Sequence, residues 1–247
     1  MSDAISANIK ALAFDTGGTV FNWHDSLVKA FVAVGARRNV SVDWHEVAND
    51  WRRRSLQHVL GMEQPDGQTD DVHRHVLDRT LAEFGLNDFT SEDRAQVLGA
   101  WYELDAWPDS TPAIARIRSA YPVVSLTLLP VSLVVHNSRR NGVDWDAIFS
   151  CEMIRTFKPH PRAYLTSAAW LNLHPSEILM VACHNIDLNA AHEVGFRTAF
   201  VHRRTEWGPN FRPDSGPNME YDFVEENFEH LADRLVPSAS NFTKHAT

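Results

Sequence analysis

From Pro122 to His202 the chain repeats one pattern: a short, mostly apolar run, then a helical stretch. Pro122–Thr127, Ala147–Ser150, Glu177–Ala182 and Thr198–His202 read as strands. Val131–Asn141, Pro161–Leu171 and Ile186–Val194 read as helices, the first and last stopped by Gly142 and Gly195. Strand–helix alternation with such short connections admits few folds. It predicts an α/β protein, a Rossmann-like parallel sheet with helices on both faces. One more apolar run, Ile9–Phe14, belongs to the same sheet.

Between that first strand and Trp107 the periodicity is helical, over about 25–38, 43–60, 70–84 and 91–103. Asp43 and Ser91 are the expected N-caps, Gly85 a C-terminal stop, and the polar stretch from Gly61 to Thr69 a loop. The expected organisation is therefore a core made of 1–20 and 107–247, interrupted by a helical cap, 21–106. The cleft between cap and sheet is the natural place for a ligand.

Bulk properties narrow the partners. A net charge of −9 over 247 residues argues against nucleic acid or an anionic membrane surface. No apolar run approaches the ~20 residues of a membrane span. The stretch Met1–Asn8 lacks the basic-then-apolar order of a signal peptide. The two cysteines, Cys151 and Cys183, lie beside apolar stretches, which suits reduced thiols in a cytoplasmic protein. No H-x-x-H or C-x-x-C spacing points to zinc. The oligomeric state is open, with a homodimer as one candidate.

Asp15 closes the first strand and opens Asp15-Thr16-Gly17-Gly18-Thr19-Val20. A carboxylate on a glycine turn at the carboxyl end of a strand is exposed and held rigidly, as a nucleophile must be. The same segment also reads as a plain structural turn. Further polar residues sit at matching points of the pattern: Thr127 at the end of the second strand, Lys158 before a helix, and Asp187 after Cys183-His184-Asn185-Ile186.

This order of Asp, Ser/Thr, Lys and Asp resembles the haloacid dehalogenase superfamily, and nearly the whole chain takes part. The resemblance is closest to the type II 2-haloacid dehalogenase branch, including its defluorinating members. Phe14-Asp15-Thr16, Trp51-Arg52, Trp107-Pro108-Asp109-Ser110, Phe157-Lys158-Pro159 and Gly195-Phe196-Arg197-Thr198 carry it beside the residues above. It implies a cofactor-independent hydrolase acting on a small 2-substituted carboxylic acid. Asp15 would attack the carbon next to the carboxylate and become an ester, which water then hydrolyses. Lys158 would keep Asp15 ionised; His184 and Asp187 would activate water or orient its activator. Thr19 and Thr127 would donate hydrogen bonds, and Arg52 would grip the substrate carboxylate. Gly17, Leu128, Tyr164 and Asn185 complete the expected pocket.

Each of these has a plainer reading. Arg52-Arg53-Arg54 can be a solvated basic face, Tyr164 a core aromatic, His184 a histidine satisfied by backbone, Lys158 a surface lysine, and the threonines strand-end caps. Rival functions are weighed on single positions. The superfamily's magnesium phosphatases carry a second Asp where Gly17 stands and another where Cys183 stands, so phosphoryl transfer is disfavoured. Typical dehalogenases carry an aromatic ring at the Gly17 position and Ser-Asn-Gly in place of Thr127-Leu128-Leu129. Loss of ring and amide widens the pocket and removes a halide contact. The runner-up is therefore a ring-opening hydrolase of the cis-epoxysuccinate or azetidine-2-carboxylate type, whose leaving atom stays tethered. A non-catalytic binding protein on this scaffold is the remaining alternative.

Overall fold

The computed structural model describes residues 8–61 and 69–237. Six parallel strands form one sheet: β1 (Ala11–Phe14), β4 (Val123–Thr127), β5 (Ala147–Ser150), β6 (Ile178–Ala182), β7 (Arg197–Val201) and β8 (Phe223–Glu225), in the order β5-β4-β1-β6-β7-β8. β1 is central, with Leu12 opposite Val123 on one side and Leu179 on the other. Its four residues are all buried. They need no polar alternation because helices cover both faces. Strand order reverses beside β1, and its carboxyl end is where such sheets hold ligands.

Two further short strands, β2 (Phe21–Asn22) and β3 (Asp105–Ala106), pair antiparallel, Phe21 against Ala106. They are the points at which the chain leaves the sheet and returns. Between them lie helices over Trp23–Arg38, Trp44–Leu60, Thr69–Glu83 and Ser91–Gly99, then a 3₁₀ turn over Ala100–Tyr102. Trp23, Phe31, Trp51, Leu77 and Trp101 are buried among them. Asp43 caps the second helix, accepting from the His45 and Glu46 amides. The fourth is capped by Thr90 and not by Ser91. Thr90 and Asp93 form a reciprocal capping box, and Asp93 also takes Arg38 at 2.7 Å. That double use favours the earlier cap. Gly85 turns with φ of 69° after the third helix. Most of the loop expected over 61–69, and the stretch before Asn8, lie outside the described residues.

Besides β2, β3, the short helix Cys151–Ile154 and the 3₁₀ turn Pro175–Glu177, three larger elements were not read from the sequence. The helix Ser110–Arg118 and the helix Phe228–Leu235 pack on each other beneath the sheet, and β8 adds an edge strand. Phe228, Leu231, Ala232 and Leu235 are buried at helical spacing. No described helix is long and apolar enough to cross a membrane.

Candidate active site

The backbone builds the site at the end of β1. The Asp15 amide donates to the Val181 carbonyl, which continues the ladder, and then the chain turns back: Val20 and Phe21 amides both donate to the Thr16 carbonyl. Gly18 makes this possible with φ of 94°. A Cβ there would also fall 2.0 Å from a Glu206 carboxylate oxygen, so only glycine fits.

Asp15 is buried, and both its oxygens are engaged. Lys158 Nζ lies 3.0 Å from Oδ1. The Thr19 hydroxyl donates to Oδ2 at 2.6 Å, and His184 Nδ1 stands 3.2 Å from the same atom. Burial alone would push this carboxyl up, but Lys158, His184 and Thr19 together hold it well below the usual carboxylate range. The group is ionised, with one face turned to a cavity.

Lys158 spends its three protons on three acceptors: Asp15 Oδ1, the Leu126 carbonyl at 2.9 Å and Asp187 Oδ2 at 2.6 Å. Burial opposes its charge; the two carboxylates outweigh that and raise its pKa. Asp187 is pushed up by burial and by Asp15, against the pull of Lys158. Its other oxygen accepts from the Tyr164 hydroxyl at 2.7 Å. Tyr164 therefore lies behind Asp187 and holds it in place.

His184 links Asp15 to a residue that sequence reading missed. Its Nε2 is 3.0 and 3.1 Å from the two oxygens of Glu206, which also accepts from Trp23 Nε1 at 2.9 Å. Burial works against a charged imidazole here. Cys183, Glu206 and the Asp15 hydrogen bond raise the His184 pKa well above 6.5 nonetheless. The Cys183 thiol is itself pushed up to about 11 by burial, so near neutrality it is uncharged. Glu206 and Asp15 are then the anions that hold the proton. Glu206 follows β7 in Arg203-Arg204-Thr205-Glu206, five residues past the end of the strand, where no local signal marks it.

Above these groups is a cavity of about 230 Å³. Asp15, Gly17, Thr127, Lys158, His184 and Asp187 form its polar floor. Leu56, Leu60, Leu128, Leu129, Ile186 and Trp207 make an apolar wall. Arg52 reaches in from the second helix. It is buried between Trp23 and Trp101, with ring centroids 5.6 and 5.5 Å from its guanidinium carbon, and its Nε has no hydrogen-bond partner. A desolvated guanidinium with unspent donors facing a cavity is a receptor for an anion. Its neighbours differ in having carboxylate partners: Arg53, whose Nε is likewise unpartnered, pairs with Glu46, and Arg54 pairs with Asp50, nearer the surface. A Cβ at Gly17 would stand 3.5 Å from both Arg52 and Leu129, so a ring at this position would enter the space they border.

Three expected pocket residues, Thr19, Tyr164 and Asn185, lie off the cavity lining. Thr127 lines the cavity, but its hydroxyl is shared with Thr16 at 2.6 Å and not with Asp15. Asn185 donates to Asp214 and Gly216 and accepts from Tyr221, so its amide pins the following loop.

The magnesium used by many proteins of this fold does not suit the donors present. Mg²⁺ asks for hard oxygen ligands in octahedral array. Here a lysine ammonium, an imidazole and a hydroxyl cover the Asp15 oxygens, and a thiol stands at Cys183.

A family model for haloacid dehalogenase-like hydrolases matches residues 9–195, and the chain belongs to that family. Within it, the chain is similar to 2-haloacid dehalogenases. A solved defluorinating L-2-haloacid dehalogenase is 34% identical, with a TM-score of 0.85, over 92% of this chain and 95% of that one. A second solved L-2-haloacid dehalogenase is 27% identical, with a TM-score of 0.86, over 93% and 100%. The (S)-2-haloacid dehalogenase of Xanthobacter autotrophicus is 28% identical over 204 residues, 80% of this chain and 77% of that protein.

Proposed function

We propose that the chain is a metal-independent hydrolase of small 2-substituted carboxylic acids, working through an ester on Asp15. The core would be 1–20 and 107–247, and the cap, 21–106, would supply Arg52. The observation that carries this reading is the pairing of an ionised, buried Asp15 with an unspent Arg52 guanidinium across one small cavity.

Arg52 fixes the substrate carboxylate, and the carbon beside it then faces Asp15. An Asp15 oxygen forms a bond to that carbon while the leaving group departs with the bonding pair. Lys158 holds the attacking carboxylate in line, and Asp187 and Tyr164 hold Lys158. In the second step water attacks the Asp15 acyl carbon, and His184 takes its proton. Esterification prepares this step. It removes one of the two anions that kept His184 protonated, so the imidazole releases its proton more readily and can then act as base.

Similarity to the named relatives supports a halide as leaving group. One feature supports ring opening as a second reading. The resting His184 carries a proton beside Asp15, and a strained ring needs a proton on its departing oxygen or nitrogen. That proton would leave His184 in the first step and return from water in the second.

A panel of 2-halo acids, cis-epoxysuccinate, azetidine-2-carboxylate and a phosphate ester, assayed with EDTA and with added Mg²⁺, separates the cases. Turnover of one class, unchanged by chelation, is expected. Phosphate ester hydrolysis that needs added Mg²⁺ would contradict the reading.

Arg52→Lys should lower kcat/KM by at least about 1.5 kcal/mol, roughly tenfold, because the fork is lost while the charge remains. Arg53→Lys should leave kcat/KM unchanged. Equal small effects at both positions would remove Arg52 from the site.

A further inference from the structure

Among the described residues, one group of three could ligate a metal ion: Cys183, His184 and Glu206, whose ligand atoms all lie within 4.8 Å of one another. The spacing is closer to a metal site than that figure suggests. Cys183 Sγ is 3.4 Å from His184 Nε2, Nε2 is 3.1 Å from Glu206 Oε2, and Sγ is 3.6 Å from the same oxygen. A tetrahedral zinc ion, with Zn–S of about 2.3 Å and Zn–N and Zn–O of about 2.0 Å, sets its ligands roughly 3.5, 3.3 and 3.5 Å apart. The three edges of the observed triangle match within a few tenths of an ångström.

We propose that Cys183, His184 and Glu206 form a binding site for a borderline-soft divalent ion of the zinc type, and that its occupation blocks turnover. This site shares Cys183 with the magnesium position discussed above but does not use Asp15: it takes the far ring nitrogen of His184, Nε2, and leaves Asp15 on Nδ1. A sulfur, an imidazole nitrogen and one carboxylate oxygen are a donor set for Zn²⁺ or Co²⁺, and a poor one for Mg²⁺. Cys183 and Glu206 are buried, so their positions are fixed before any ion arrives. Trp23 already anchors Glu206 through Oε1, which leaves Oε2 for the metal. A small cavity lined by Cys183, Glu206, Trp207 and Pro213 adjoins two of the three side chains and gives the fourth ligand, a water, somewhere to stand. Three arginines line that cavity: Arg203 and Arg204 are paired with Asp109 and Glu226, and Arg212 is the third. Thiol and imidazole must give up protons to ligate, so positive charge leaves as the ion enters.

The inhibitory half of the proposal rests on the catalytic part assigned to His184; the binding half does not. Co²⁺ and Zn²⁺ are therefore titrated into the whole chain with two readouts. One equivalent of Co²⁺ should produce a thiolate-to-cobalt charge-transfer band that Zn²⁺ removes. Cys183→Ser should abolish the band and weaken Zn²⁺ binding at least tenfold, while Cys151→Ser keeps both. No band in the parent chain, or a band that survives Cys183→Ser, overturns the site. The unaltered protein gives a check without any substitution. At substoichiometric zinc, the extended X-ray absorption fine structure should report one sulfur at about 2.3 Å among nitrogen and oxygen neighbours. A shell with no sulfur also overturns it. In the second readout Zn²⁺ should inhibit turnover and EDTA should restore it. A sulfur-ligated ion that leaves turnover intact would overturn the inhibitory half and count against His184 as the base, with the binding site standing.

Discussion

Lys158→Met is expected to lower stability by about 3–5 kcal/mol and to abolish turnover. Among the described residues the ammonium is the one cation that touches both Asp15 and Asp187, and all three groups are buried. Removing one member of such a network leaves the others charged without a partner, and that costs more than the network ever contributed. Lys158→Arg should not rescue activity. The three acceptors surround Nζ as a tripod: two carboxylate oxygens and the Leu126 carbonyl. A planar guanidinium cannot direct its donors that way. Denaturant unfolding and steady-state kinetics on both variants check this. Stability within about 0.5 kcal/mol of the parent for Lys158→Met would mean that the lysine is a bystander.

Asp15→Asn should fold and yet turn over at least about 10⁴-fold more slowly, in the range found when an enzyme nucleophile is removed. Thr19 can still donate to an amide oxygen, so the local turn survives. The amide lacks the charge that makes the carboxylate a nucleophile. The parent enzyme should show no loss of rate from protonation of Asp15 near pH 3.8, because the folded group titrates lower. The stability that this depressed value confers is present above pH 3.8 and is lost as pH falls toward the folded value.

The parts of the fold legible in the sequence were those written in local chemistry. Val131–Asn141 and Pro161–Leu171 match the structure end to end, because a proline opens each and a left-handed Gly142 or Asn172 closes it. Asp15, Lys158 and Asp187 stood out because each marks the end of a strand or the start of a helix. What was illegible depends on approach in three dimensions. Glu206 lies 22 residues from His184 and is defined by its contact with Gly18 and Trp23. Cys183-His184 shows no metal spacing until that carboxylate folds over it. Arg52 could be chosen among three adjacent arginines only by resemblance. The structure gives the physical difference: Trp23 and Trp101 enclose it, while its neighbours find carboxylates nearer the surface.

In the proposed mechanism the substrate becomes esterified to Asp15 and water attacks the acyl carbon. A single turnover with excess enzyme in ¹⁸O-labelled water tests it most directly, read by intact and peptide mass. The account predicts label in the Asp15 carboxylate and an unlabelled product that carries off the original Asp15 oxygen. Label found only in the product of that first turnover would mean that water attacks the substrate carbon, with Asp15 as a general base, and would contradict the account.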